Sequence, residues 1–70
     1  MPHVGSPMAG IVAKIVVSVG DALEFGQTIM ILESMKMEVG VESDGSGTVR
    51  AIRVQEGVPV DQGDPLIDYD

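Results

Sequence analysis

Glu33, Ser34, Met35, Lys36, Met37 and Glu38 are the residues whose types and spacing point most directly to chemistry, with Lys36 at their centre. Strand-like sequence leads in from Gln27 to Leu32 and out from Val39 to Glu42. The stretch between therefore reads as the tip of a tight β-hairpin that holds Lys36 out in water. An exposed lysine is ordinary. One bracketed by Met35 and Met37 is less so, because thioethers go to cores or to surfaces that a partner grips. Two readings stay open here: a lysine presented to a partner between gripping methionines, or a solvated turn lysine beside two core methionines.

The other candidates are weaker. His3 is the only histidine, and with no cysteine and no serine elbow it makes no nucleophilic pair. Asp61, Asp64, Asp68 and Asp70 lack the EF-hand spacing and its bidentate Glu, so they read as a solvated acidic surface. Asp44, Gly45, Ser46, Gly47 looks like a fragment of a phosphate loop, but no lysine follows and no helix begins there. It reads as a turn.

What must position Lys36 emerges when the chain is compared with itself. A shift of 37 positions (47 − 10) pairs Val4 with Val41, Ser6 with Ser43, Gly10 with Gly47, Val12 with Val49, Ile15 with Ile52, Val17 with Val54, Gly20 with Gly57 and Gly26 with Gly63. Residues 2–33 thus align with 39–70 without a gap, giving 8 identities in 32 pairs, where ordinary residue usage gives roughly 2. The linker is 34–38 and its midpoint is Lys36. Two like halves predict a pseudo-two-fold axis that leaves the molecule at this lysine.

The strands follow in order. Pro2 confines residues 1–5 to an edge. Ile11–Val17, Ala22–Phe25, Thr28–Glu33, Met37–Ser43, Thr48–Val54, Val58–Asp61 and Pro65–Tyr69 complete eight strands, separated by Gly- and Pro-rich turns that leave no room for a helix. Apolar positions 12, 15 and 17, repeated at 49, 52 and 54, break strict alternation. Side chains in a strand change face at every residue, so a β-bulge is predicted in each copy between the first and second of these positions. The expected fold is a small all-β sandwich or barrel.

With Glu33, Ser34, Met35, Lys36, Met37, Glu38 set between two similar Val/Ile/Gly-rich halves, the chain resembles the biotinyl domain of biotin carboxyl carrier proteins, within the wider biotinyl/lipoyl family. The resemblance spans essentially the whole chain, read as a single carrier domain over residues 1–70. It implies a flattened eight-stranded antiparallel barrel-sandwich hybrid with the modified lysine on a hairpin at one end and both termini at the other. Only Ser18–Asp21 separates the second and third strand signals, so the inserted thumb of some members is not expected. Met-Lys-Met marks the lysine that biotin protein ligase modifies, which matches Lys36; Glu33, Ser34, Met35, Met37 and Glu38 are then the surface read by the ligase and later partners. Ser34 replaces the family's usual Ala.

The resemblance further implies biotin on Lys36, joined as an amide after the ligase activates its carboxylate as an acyl-adenylate. A free lysine titrates near ~10.4, so the amine is deprotonated in the ligase site. A biotin carboxylase then loads a carboxyl group that a carboxyltransferase delivers. The chain is expected to be a carrier rather than an enzyme. Two rivals remain. One is a lipoyl carrier or dual biotin/lipoyl attachment protein, although lipoyl domains place Asp and Ala beside the lysine where Met35 and Met37 stand. The other is an unmodified structural module.

Composition agrees independently. Seventy residues without cysteine make a small domain whose stability rests on a closed Val/Ile-rich core. Four Lys+Arg against 11 Asp+Glu give a net charge of −7, and Phe25 and Tyr69 are the only aromatics. Nucleic acid is excluded as a partner, since phosphates want basic surface and single strands want stacking rings. No apolar run approaches the ~20 residues of a membrane span. A cytoplasmic module, monomeric in isolation, is the expectation.

Overall fold

The structure, a computed structural model, describes residues 2–70. Eight strands follow the chain: β1 (His3–Gly5), β2 (Gly10–Ile15), β3 (Ala22–Leu23), β4 (Thr28–Ser34), β5 (Met37–Glu42), β6 (Gly47–Ile52), β7 (Pro59–Val60) and β8 (Pro65–Tyr69). They form two four-stranded sheets with orders β1-β8-β6-β3 and β5-β4-β2-β7, every pairing antiparallel. Adding 37 to the residue numbers carries β1 to β5, β2 to β6, β3 to β7 and β4 to β8. Under that exchange one sheet order becomes the other, so the internal repeat is the symmetry of the fold.

The symmetry reaches individual hydrogen bonds. The Gly26 amide donates to the Ser43 carbonyl at 2.8 Å, and the Gly63 amide to the Ser6 carbonyl at 2.8 Å. Both glycines turn with positive φ, 83° and 88°, a region that residues without a Cβ enter at little cost. Buried Ser6 and Ser43 each donate to the carbonyl two residues on, Met8 and Gly45. The predicted bulges are present in both copies, as register shifts between Val12 and Lys14 and between Val49 and Ala51.

Several strands are shorter than their apolar runs, and at β2, β3 and β7 side chains take amides that a ladder would use. Glu56 accepts from the Ile15 amide at 2.9 Å, ending β2 at Ile15 rather than Val17. Gln27 accepts from Glu24 and Ser46 from Phe25, cutting β3 to Ala22–Leu23. Asp64 accepts from Asp61, cutting β7 to Pro59–Val60. β6 begins at Gly47 and stops at Ile52, although the Arg53 amide still reaches the Leu66 carbonyl at 2.8 Å. The expected first strand began at Met1, which lies outside the described residues.

Between the sheets, Val12, Ile29, Met30, Leu32, Val49, Leu66 and Ile67 are fully enclosed, with Val4, Val17, Leu23, Val41, Val60 and Tyr69 around them. Asp68 is buried among them but meets Arg53, whose Nη2 lies 2.6 Å from its Oδ2. No thumb interrupts residues 16–21.

Tyr69 closes the end where the chain terminates. Its hydroxyl donates to Asp44 Oδ1 at 3.0 Å, and its amide donates to the Pro2 carbonyl. Burial, followed by the Asp44 carboxylate, holds the phenol above its ordinary value of 10.0. The folded state therefore keeps its proton through a window in which the unfolded chain has lost it. The stability that Tyr69 contributes in this way is fully present below pH about 10 and is lost as pH rises beyond it. Denaturant titrations between pH 8 and 11.5 should show that decline, and Tyr69→Phe should flatten it; an equal decline in the variant would rule Tyr69 out as its source.

Candidate functional site

β4 is the structural centre of the site. It pairs with β5 on one side and β2 on the other, so that Glu33 stands opposite both Glu38 and Ile11. Ser34 pairs with Met37, which leaves Met35 and Lys36 as the two residues of the turn. Their φ angles are 52° and 64°. Two positive φ values in succession define the type I′ turn, whose twist matches that of the flanking strands. This turn ordinarily uses Asn-Gly, since a side chain in the left-handed region costs roughly 1–2 kcal/mol. Here neither residue is Asn or Gly, and a sterically unfavourable turn has been kept with a lysine and a methionine in it. Such strain collects at functional positions.

Replacing Met35 with Asn and Lys36 with Gly should therefore stabilise the protein, by about 1–2 kcal/mol. Thermal unfolding should register this as a midpoint raised by about 4–8 °C per kcal/mol for a domain of this size. An unchanged or lowered midpoint would mean that the tip is unstrained.

All six residues singled out in the sequence come together at this tip. Met35 is 92% exposed and Met37 65%, so neither belongs to the core. Of the two readings left open by the sequence, the one with core methionines is thereby removed. Glu33, Lys36 and Glu38 are exposed and Ser34 is half-buried. Glu33 and Glu38 are directly opposed in the hairpin register, a like-charge pairing that costs stability and puts two acidic residues below the lysine. Among the described residues the ion pairs are Arg50 with Asp70 and Arg53 with Asp68, so Lys36 enters none.

Lys14, the other lysine, sits in the middle of β2 opposite Ile31, with its backbone inside the sheet. Gly10 supports the tip in a way that motif reading missed. A Cβ there would stand 2.9 Å from the Glu33 carbonyl oxygen, so only glycine lets β2 begin directly beneath the hairpin. The repeat carried the signal, since Gly10 aligns with Gly47, which is packed in the same way against the Asp70 carbonyl.

The tip is remote from the chain ends. β5 runs six residues from Met37 to Glu42, a span of about 20 Å at ~3.3 Å per residue. Beyond it, Asp44 meets Tyr69, and Thr48 exchanges backbone hydrogen bonds with Asp70. Lys36 thus stands at one end of a body 31 Å long, with residues 2 and 70 at the other.

A family model described as biotin-requiring enzyme matches residues 1–68. The chain belongs to this biotin/lipoyl family. Within it, the chain is 47% identical over 62 residues to a biotin carboxyl carrier protein of Streptococcus mutans, covering 89% of this chain and 48% of that protein. It is 46% identical over 61 residues to a biotin/lipoyl attachment protein of Bacillus subtilis, covering 87% and 84%. Among solved structures of the family fold, the urea carboxylase of Kluyveromyces lactis superposes with a TM-score of 0.90 at 33% identity, over 99% of this chain and 6% of that one. The chain therefore spans about half of one carrier relative, most of the attachment protein, and a small part of the urea carboxylase.

Proposed function

We propose that this chain is a biotin carboxyl carrier domain spanning residues 1–70, with biotin joined through an amide to the Nζ of Lys36. The observation that carries the reading is the tip itself: a lysine on a strained two-residue turn, free of ion pairs and set between two exposed methionines. Covalent attachment of a carboxylic acid needs an amine that can enter another protein's cleft, and these residues fit that need. When bound, biotin supplies a ring nitrogen that accepts a carboxyl group at one active site and releases it at another. Lys36 holds the group at the end of a flexible stem. The flanking β4 ladder keeps the stem's root fixed. Met35 and Met37 are adaptable contact surfaces for successive partners, and Glu33, Ser34 and Glu38 complete the face that those partners read.

Selection of Lys36 over Lys14 follows from accessibility, because the backbone of β2 would have to leave its sheet before Lys14 could enter a cleft. The partners in this account are a biotin protein ligase, a biotin carboxylase and a carboxyltransferase, all in the cytoplasm. The tether contributes effective concentration, on the order of millimolar at the second site. One observation favours a second capacity: a relative matched over most of its length is named for both biotin and lipoyl attachment, so lipoate on Lys36 is the alternative cargo.

Carboxyl transfer tests the reading. Biotin-loaded protein given a biotin carboxylase, ATP and radiolabelled bicarbonate should acquire acid-labile label on the protein, and the Lys36→Arg chain should acquire none. Label on both chains, or on neither while free biotin is labelled, would refute it.

A further inference from the structure

The four methionines among the described residues occupy very different surroundings. Met30 is fully buried and Met8 packs half-buried against the core, whereas Met35 and Met37 are 92% and 65% exposed on either side of Lys36. The chain has no cysteine, so no thiol competes for an oxidant. Thioether oxidation follows exposure. Met35 also sits in the left-handed region at φ 52°, with its side chain turned out to solvent, so a change in its polarity removes no core packing. From these facts we infer that Met35 and Met37 are a peroxide-sensitive modification site that governs whether Lys36 can be loaded.

The step balances without a further reagent. The methionine sulfur attacks one oxygen of hydrogen peroxide and the O–O bond breaks. That oxygen stays on sulfur as the sulfoxide, and the other leaves as water with both protons. Sulfur loses two electrons and the peroxide gains them. The product is polar and chiral where a flexible apolar surface stood. A partner that grips the tip through two thioethers then meets two sulfoxides, while the fold underneath is unchanged. The lesion is reversible by methionine sulfoxide reductases, so tip oxidation is a switch rather than damage. The effect on loading rests on the carrier reading above, whereas the selectivity of oxidation does not.

The test uses the whole chain. It is treated with dilute hydrogen peroxide, digested, and each methionine followed by fragment mass, which separates Met35 and Met37 from Met8 and Met30. A portion is offered to a biotin ligase with ATP and biotin, and another is first treated with methionine sulfoxide reductases and dithiothreitol. The expected result is oxidation of Met35 and Met37 at least about tenfold faster than Met30. The thermal midpoint should be unchanged, and the initial biotinylation rate should fall about tenfold and be restored by the reductases. Equal biotinylation before and after peroxide overturns the inference alone, as does parallel oxidation of Met30 and the tip. Failure of the untreated chain to take biotin would remove the carrier reading and, with it, the proposed control of loading.

Discussion

Moving the lysine by one residue, in the double variant Met35→Lys/Lys36→Met, should lower the initial rate of biotin attachment by about a hundredfold, the order expected when a reacting group is displaced by an ångström or more. Composition and net charge are unchanged by the exchange. Both positions remain in the left-handed turn, so the fold and its thermal midpoint should be retained. What changes is direction. The two turn residues leave the hairpin with different Cα–Cβ vectors, and under the proposed attachment it is position 36 that presents the amine to the ligase. If the displaced lysine were modified at the original rate, the turn would be mere exposure, and its strain would have no part in function.

Leu66→Ala should cost about 2–5 kcal/mol, the range for truncating an enclosed leucine. Leu66 is wholly enclosed and stands in β8, the central partner of β1 and β6. A 70-residue domain at ~0.05–0.15 kcal/mol per residue has only about 4–10 kcal/mol to lose. Urea unfolding of the variant should show a sharply lower midpoint with the slope retained. The repeat adds a comparison. Ile29 occupies the equivalent place in β4 and is equally enclosed, so Ile29→Ala should cost a similar amount, because the two positions share one packing environment. A loss under 1 kcal/mol at either site would mean that the sheets can close over the void.

The features legible in the sequence were those in which a residue type leaves no alternative. The 37-residue shift exposed the two-fold arrangement of the sheets, and the spacing of positions 12, 15 and 17 located a bulge that strict alternation forbids. Strand ends were harder to read. They depend on which side chain captures an amide, as Glu56 does for Ile15 and Gln27 for Glu24, and those partners are set by tertiary approach rather than by local pattern. At the tip, the hairpin and its lysine were visible, but the left-handed conformation was not. Met and Lys carry no signal for positive φ, and the two-residue turn is imposed by the register of Ser34 with Met37. Gly10 was likewise silent alone, since its role exists only once β2 lies beneath Glu33.

The measurement that bears most directly on Lys36 is intact mass after incubation with ATP, biotin and a biotin ligase, beside the Lys36→Arg variant and a parallel incubation with lipoate and a lipoate ligase. One biotinyl increment, localised by fragmentation to Lys36 and absent from the variant, is the predicted result. An increment on Lys14, an increment from lipoate alone, or none from either ligase would contradict the account.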